Sequence, residues 1–160
     1  LPVLYLRWPF VAGWANLVWD SVDGDLLMPA GLPEPTYQVI DKIADYWAYA
    51  FMVAWAWRHE IRRAAVAAFL LRTVGQVLYF VTRNELALFF FPNLIEPLFL
   101  VYATIGRLKG WDRVAAIYRA HRRAIWIGIL AYKLQDEWIT HVANFDRSDA
   151  IEWLIRRGGR

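Results

Sequence analysis

"AAVAAFLLRTVGQVLYFVT", residues 64–82, is an apolar run interrupted by one charge, Arg72, and one amide, Gln76. About 20 apolar residues in a helix cross the hydrocarbon core of a bilayer. Arg72, Gln76, Tyr79 and Arg83 follow one another at spacings of 4, 3 and 4, so they share one stripe of that helix. A charge inside a membrane helix turns toward the bundle interior and needs a partner there. The stretch therefore reads as a span with a polar inner face.

Four further apolar stretches flank it: residues 1–19, 43–57, 86–105 and 124–143. No strand-like alternation of any length occurs, so the fold class expected is all-α, a polytopic integral membrane bundle of four or five transmembrane helices in one domain, residues 1–160. Residues 1–19 are the uncertain span, because Pro9 and Gly13 would interrupt a helix; the alternative is a segment lying along the interface. Ten Trp, eight Tyr and nine Phe in 160 residues suit a protein whose surface meets both hydrocarbon and headgroups. The mean hydropathy of +0.27 is modest for such a protein.

The charge pattern gives an orientation. Residues 20–42 form an acidic connection, with Asp20, Asp23, Asp25, Glu34 and Asp41 against Lys42. Arg58, Arg62 and Arg63 outnumber Glu60 in the next connection, and residues 107–123 carry six Lys and Arg against Asp112. Lys and Arg gather in cytoplasmic loops. Loops 58–63 and 107–123 are thus expected inside a bacterial-type plasma membrane, with the acidic connection outside.

The short "RNE" at 83–85 should make residues 64–82 and 86–105 an antiparallel hairpin. Counted from Asn84, Arg72 lies twelve residues before and Glu96 twelve after. An Arg72–Glu96 pair at equal depth is therefore expected, with Asn93 or Gln76 filling remaining hydrogen bonds. Pro92 and Pro97 bracket "NLIE". Proline removes a backbone donor, so this span is expected to kink, or to break and expose carbonyls as some transporters do.

In "YKLQDEWITH", residues 132–141, Lys133, Glu137 and His141 lie one turn apart and Asp136 on a neighbouring face. Asp136, Glu137 and His141 form a candidate outer-face site, which would need to borrow Asp20, Asp23, Asp25, Asp41 or Asp45 to hold a metal. The favoured reading is the wet end of a helix. "DSVDGD", 20–25, lacks the ligand order of a calcium loop and reads as an exposed acidic turn.

No cysteine is present, which excludes disulfides, thiolate nucleophiles and cysteine metal sites. Three histidines are too few for a histidine-box oxygenase, and no phosphate-binding or nucleophile-elbow motif occurs. No catalytic residue, cofactor or metal ion is assigned. The expected function is a non-catalytic accessory or assembly subunit of a larger membrane complex, with membrane lipids and other membrane subunits as partners and no nucleic acid. The alternatives are a transporter or channel component using Arg72, Gln76, Asn93 and Glu96, and a lipid-modifying membrane enzyme.

Overall fold

A computed structural model describes residues 3–27, 29–84 and 86–141. The described residues form helices α1 (Leu4–Arg7), α2 (Pro9–Asp20), α3 (Asp23–Leu27), α4 (Glu34–Ala56), α5 (Arg62–Thr82), α6 (Leu86–Phe90), α7 (Ile95–Lys109) and α8 (Val114–His141), with no strand among them. The all-α expectation holds.

Prolines and one left-handed residue set the boundaries. Pro9 opens α2 at its first position, where its missing N–H costs nothing. The break expected at Pro9 thus falls at Trp8, before the helix. Gly13 does not interrupt α2; it lets the helix pack onto α7, since an added Cβ would stand 2.9 Å from Leu100 and Phe99. Pro33 caps α4 and Pro35 sits in its first turn, so Asp41 and Asp45 are helical. α5 ends at Arg83, whose φ of 56° is left-handed and whose N–H reaches the Tyr79 carbonyl at 2.7 Å.

The stretch 86–105 is two helices. Pro92 has no N–H to continue the ladder, and the chain leaves helical geometry between Phe91 and Leu94. Asn93 restarts it, its Oδ1 accepting the Glu96 N–H at 3.3 Å. Arg72 Nη1 donates to the Leu88 and Phe91 carbonyls at 3.3 and 3.2 Å, so the carbonyls released by the break are bonded from α5.

Among the described residues, only α5 is by length and composition long and apolar enough to cross a membrane. Four or five such helices were expected. The shortfall has local causes: α2 and α7 are short, with 12 and 15 residues, and α4 carries Asp41, Lys42 and Asp45. Multiple spans therefore do not follow from the helices themselves.

Helix α7 lies at the centre, in contact with α2, α4, α5 and α8. Ile95, Leu98, Phe99, Tyr102 and Ala103 pack against Tyr49, Met52 and Trp55 of α4. Trp14 Nε1 donates to Thr104 Oγ1 at 3.0 Å, tying α2 to α7. Helix α5 is inside out. It buries Arg72, Gly75, Gln76 and Tyr79 while Leu70, Val74, Val77 and Val81 are exposed.

Gly75 is where α5 meets α6. A Cβ there would stand 2.6 Å from Phe91 Cβ and 3.3 Å from the Phe91 carbonyl. No side-chain rotation relieves this, so Gly75→Ala must push the backbones apart. Overpacking of this kind costs about 1–3 kcal/mol. A melting temperature several degrees below that of the wild-type chain is expected; an unchanged one would rule out this packing.

Candidate metal centre

The turn between α2 and α3 is pinned by Ser21, whose hydroxyl donates to the Leu17 carbonyl at 2.7 Å. Asn16, Asp20 and Asp23 follow at i, i+4 and i+7. Across from them Asp41, Asp45 and Tyr49 follow one turn apart on α4. Two polar stripes thus converge at one end of the bundle. Asp20, Asp41 and Asp45 each offer a carboxylate oxygen, and the three lie within 4.8 Å of one another. Oxygens sharing one Mg²⁺ or Ca²⁺ at 2.0–2.6 Å are about 3–5 Å apart, so the spacing suits a hard divalent cation.

Two of the three carboxylates, and Asp23 beside them, are held. Asp41 accepts from Lys42 Nζ at 2.7 Å, and Asp45 from the Tyr49 hydroxyl at 2.9 Å. Asp23 is buried and accepts from the Tyr37 hydroxyl at 3.0 Å. Beneath them a second layer continues inward. Asn93 Nδ2 donates to Tyr49 Oη at 2.8 Å and to Glu96 Oε2 at 3.2 Å, and Asn16 Nδ2 donates to Glu96 Oε1 at 3.2 Å. A hydrogen-bonded chain therefore runs from Asp45 through Tyr49 and Asn93 to Glu96 and Asn16.

The electrostatics match crowded carboxylates. Asp20 lies just past the apolar stretch 1–19. It is exposed on one side, yet its carboxyl is pushed up to about 7, first by desolvation against the bundle and then by the charges of Glu96, Asp41 and Asp23, with Lys42 opposing. For Lys42, burial lowers the ammonium, but Asp41 and Asp45 outweigh it and the net shift is upward. Burial, then the charge of Asp41 and the bond to Asp23, raise the Tyr37 phenol.

All four expected polar-core residues, Arg72, Gln76, Asn93 and Glu96, are buried. Gln76 lies between Thr73, which bonds Tyr46, and Tyr79, whose hydroxyl donates to Gln38. In this antiparallel pair Gln76 therefore faces α4 near Lys42. Arg72 bonds the two carbonyls of the break and Glu96 the two asparagine amides; their direct pairing stays a sequence-based expectation. Toward the C-terminal end of α8, Asp136 accepts from Lys133. The side chains of Glu137 and His141 lie outside the described residues, as do residues 142–160 entirely.

The opposite end is basic and aromatic. His59 stacks on Trp55 with centroids 4.0 Å apart and stands 6.0 Å from Trp111; desolvation lowers its pKa. Trp111 also meets Trp55 at 5.8 Å. These contacts bring connections 58–63 and 107–123 together, away from the carboxylates.

Sequence reasoning named the aspartates only as spare ligands for Glu137 and His141. Their own spacing was the missed signal: Asp41 and Asp45 fall on one helical face once α4 extends back through them, and Asp20 is the last residue of α2.

No protein family, curated protein or solved structure matches this chain.

Proposed function

We propose that the chain is a membrane-embedded, divalent-cation-dependent enzyme acting on a phosphate-bearing lipid or headgroup at the acidic end of the bundle. The observation that carries this reading is the approach of Asp20, Asp41 and Asp45 within 4.8 Å. Mg²⁺-type cations are bound by one or two carboxylates and complete their shell with substrate phosphate oxygens. A cation there neutralises the crowded carboxylates and polarises a phosphoryl oxygen.

The inside-out α5 supports the membrane setting. Apolar residues face outward where lipid would cover them, and polar ones face inward. In this proposal residues 9–19 of α2, residues 43–56 of α4, the α6–α7 pair and α8 lie in the bilayer beside α5, and residues 20–42 lie outside it. The basic connections face the cytoplasm and the carboxylates the other side. A second reading, the accessory subunit, is favoured by the outward face of α8, where Ile127, Leu130 and Leu134 are exposed and Gly128 has open space around it. Lipid covers that face equally well.

Thermal unfolding of the purified chain at several pH values, with and without cation, tests the enzyme reading. The Asp20 carboxyl titrates near 7 when folded against an ordinary 3.8. Between those values the folded chain holds more protons than the unfolded one, so stability without cation falls as pH rises from about 4 to 7. Above pH 7, Mg²⁺ or Mn²⁺ should restore it, by about 2.7 kcal/mol at a hundredfold excess over Kd. A melting temperature indifferent to both cations at pH 8 would remove the basis of the proposal.

A further inference from the structure

Two outward-facing stripes of the bundle begin in arginine at the same end. On α5, Arg63, Ala67, Leu70, Val74 and Val77 are all exposed and follow one another at spacings of 4, 3, 4 and 3. On α8, Arg119, Arg123, Ile127, Leu130 and Leu134 are all exposed, at spacings of 4, 4, 3 and 4. Residues so spaced share one helix face. Arg119 Nη1 reaches Glu60 Oε2 at 3.9 Å, which sets the foot of the α8 stripe beside the connection from which α5 starts. Both helices run away from that connection. The apolar part of each stripe therefore begins at a similar depth, just above the cations.

Packing gathers these cations from two distant parts of the chain. His59 and Trp111 both pack on Trp55, and Gly106 leaves the space that the Trp111 ring fills. Residues 58–63 and 107–123 hold nine Lys and Arg, every one of them exposed, against Glu60 and Asp112. Those two acids already meet arginines, Glu60 with Arg119 at 3.9 Å and Asp112 with Arg113 at 3.6 Å. Trp57 and Trp111 are exposed among the cations. An open cleft of about 550 Å³ is lined by Arg58, Arg62 and Arg63 beside Trp57 and His59. Charge alone would suit any polyanion. Apolar stripes that lead into the cations suit one surface, where phosphates lie above hydrocarbon and tryptophan settles between the two.

We infer that the end of the bundle formed by residues 58–63 and 107–123 binds the phosphate headgroups of anionic phospholipids in the leaflet that borders it, with Arg58, Arg62 and Arg63 seating one headgroup in their cleft. This rests on the membrane setting proposed above and is independent of the cation site.

The test uses the full-length wild-type chain and the triple variant Arg58→Gln, Arg62→Gln, Arg63→Gln, each purified from the membrane fraction in neutral detergent. Radiolabelled phosphatidylglycerol or phosphatidylcholine is titrated in, and the lipid carried through gel filtration with the chain is measured. The wild type should bind phosphatidylglycerol about 10-fold or more tightly than phosphatidylcholine. Each arginine near an anionic leaflet is worth about 5-fold, so the triple variant should bind phosphatidylglycerol about 100-fold more weakly and phosphatidylcholine as before. Salt at about 1 M, which screens charges beyond about 3 Å, should erase the preference of the wild type, a result that needs no variant to fold. Equal binding of the two lipids by the wild type, a preference indifferent to salt, or a triple variant that keeps the preference overturns the inference. So does displacement of phosphatidylglycerol by glycerol phosphate at equal concentration, which would assign the cleft to a soluble phosphate, or by a short RNA duplex, which would assign the surface to nucleic acid. Each of these leaves the membrane setting standing. A wild-type chain recovered from cells outside the membrane fraction overturns that setting, and this inference with it.

Discussion

Asp45→Asn should abolish the response of the chain to divalent cation. Asp45 lies within 4.8 Å of Asp20 and Asp41 in the proposed cation site and accepts from Tyr49. The amide can keep the Tyr49 bond, so the fold should survive. It cannot supply the negative charge. Outer-shell changes at metal sites already cost 10- to 100-fold in affinity, and loss of a direct carboxylate ligand should exceed about 100-fold. The same substitution relieves repulsion among the carboxylates, so at pH 8 without cation the variant should melt above wild type. Asp112→Asn, on an exposed residue at the basic end, should change neither quantity. A wild-type cation shift in Asp45→Asn would show that the carboxylates do not act as a metal centre.

Leu70→Arg should remove the chain from the membrane fraction. Leu70 is 58% exposed on the outward face of α5, near the middle of the helix, and Leu108 is 69% exposed at the basic end of α7. On an ordinary water-facing surface both substitutions to Arg would fall within about 0.5 kcal/mol. In a bilayer they differ. An arginine at the centre of a span costs about 2.5–3.5 kcal/mol on insertion scales, whereas one at the headgroup level is nearly neutral. Membrane-fraction accumulation of both variants, measured side by side, separates the two settings. Equal accumulation would refute the lipid-facing assignment of α5.

The inward face of α5 was legible from residues 64–82, because a charged stripe inside an apolar run turns away from apolar surroundings. The interruption near Pro92 was also legible, since proline removes a donor wherever it stands. The shapes of the other helices were not. Pro9 was read as a breaker but opens α2, a distinction that depends on where the preceding turn ends. The extension of α4 back to Glu34 rests on Pro33 and Pro35 adopting a helix start, which polar composition concealed. That extension is what places Asp41 and Asp45 on one face, so the candidate site stayed hidden for the same reason. The docking of α2 on α7 depends on Gly13 fitting under Phe99 and Leu100, and no local pattern reveals a contact between residues so far apart in the chain.

The bonds from Arg72 to the Leu88 and Phe91 carbonyls have a mechanical consequence. Asn93 lies two residues beyond Phe91, and it carries both Tyr49 and Glu96. The guanidinium therefore splints the interrupted helix to α5 at the point from which the floor of the carboxylate site hangs. Any tilt of α5 is transmitted through that splint to Tyr49 and on to Asp45, so the outer surface of the bundle and the geometry of its acidic end move as one lever.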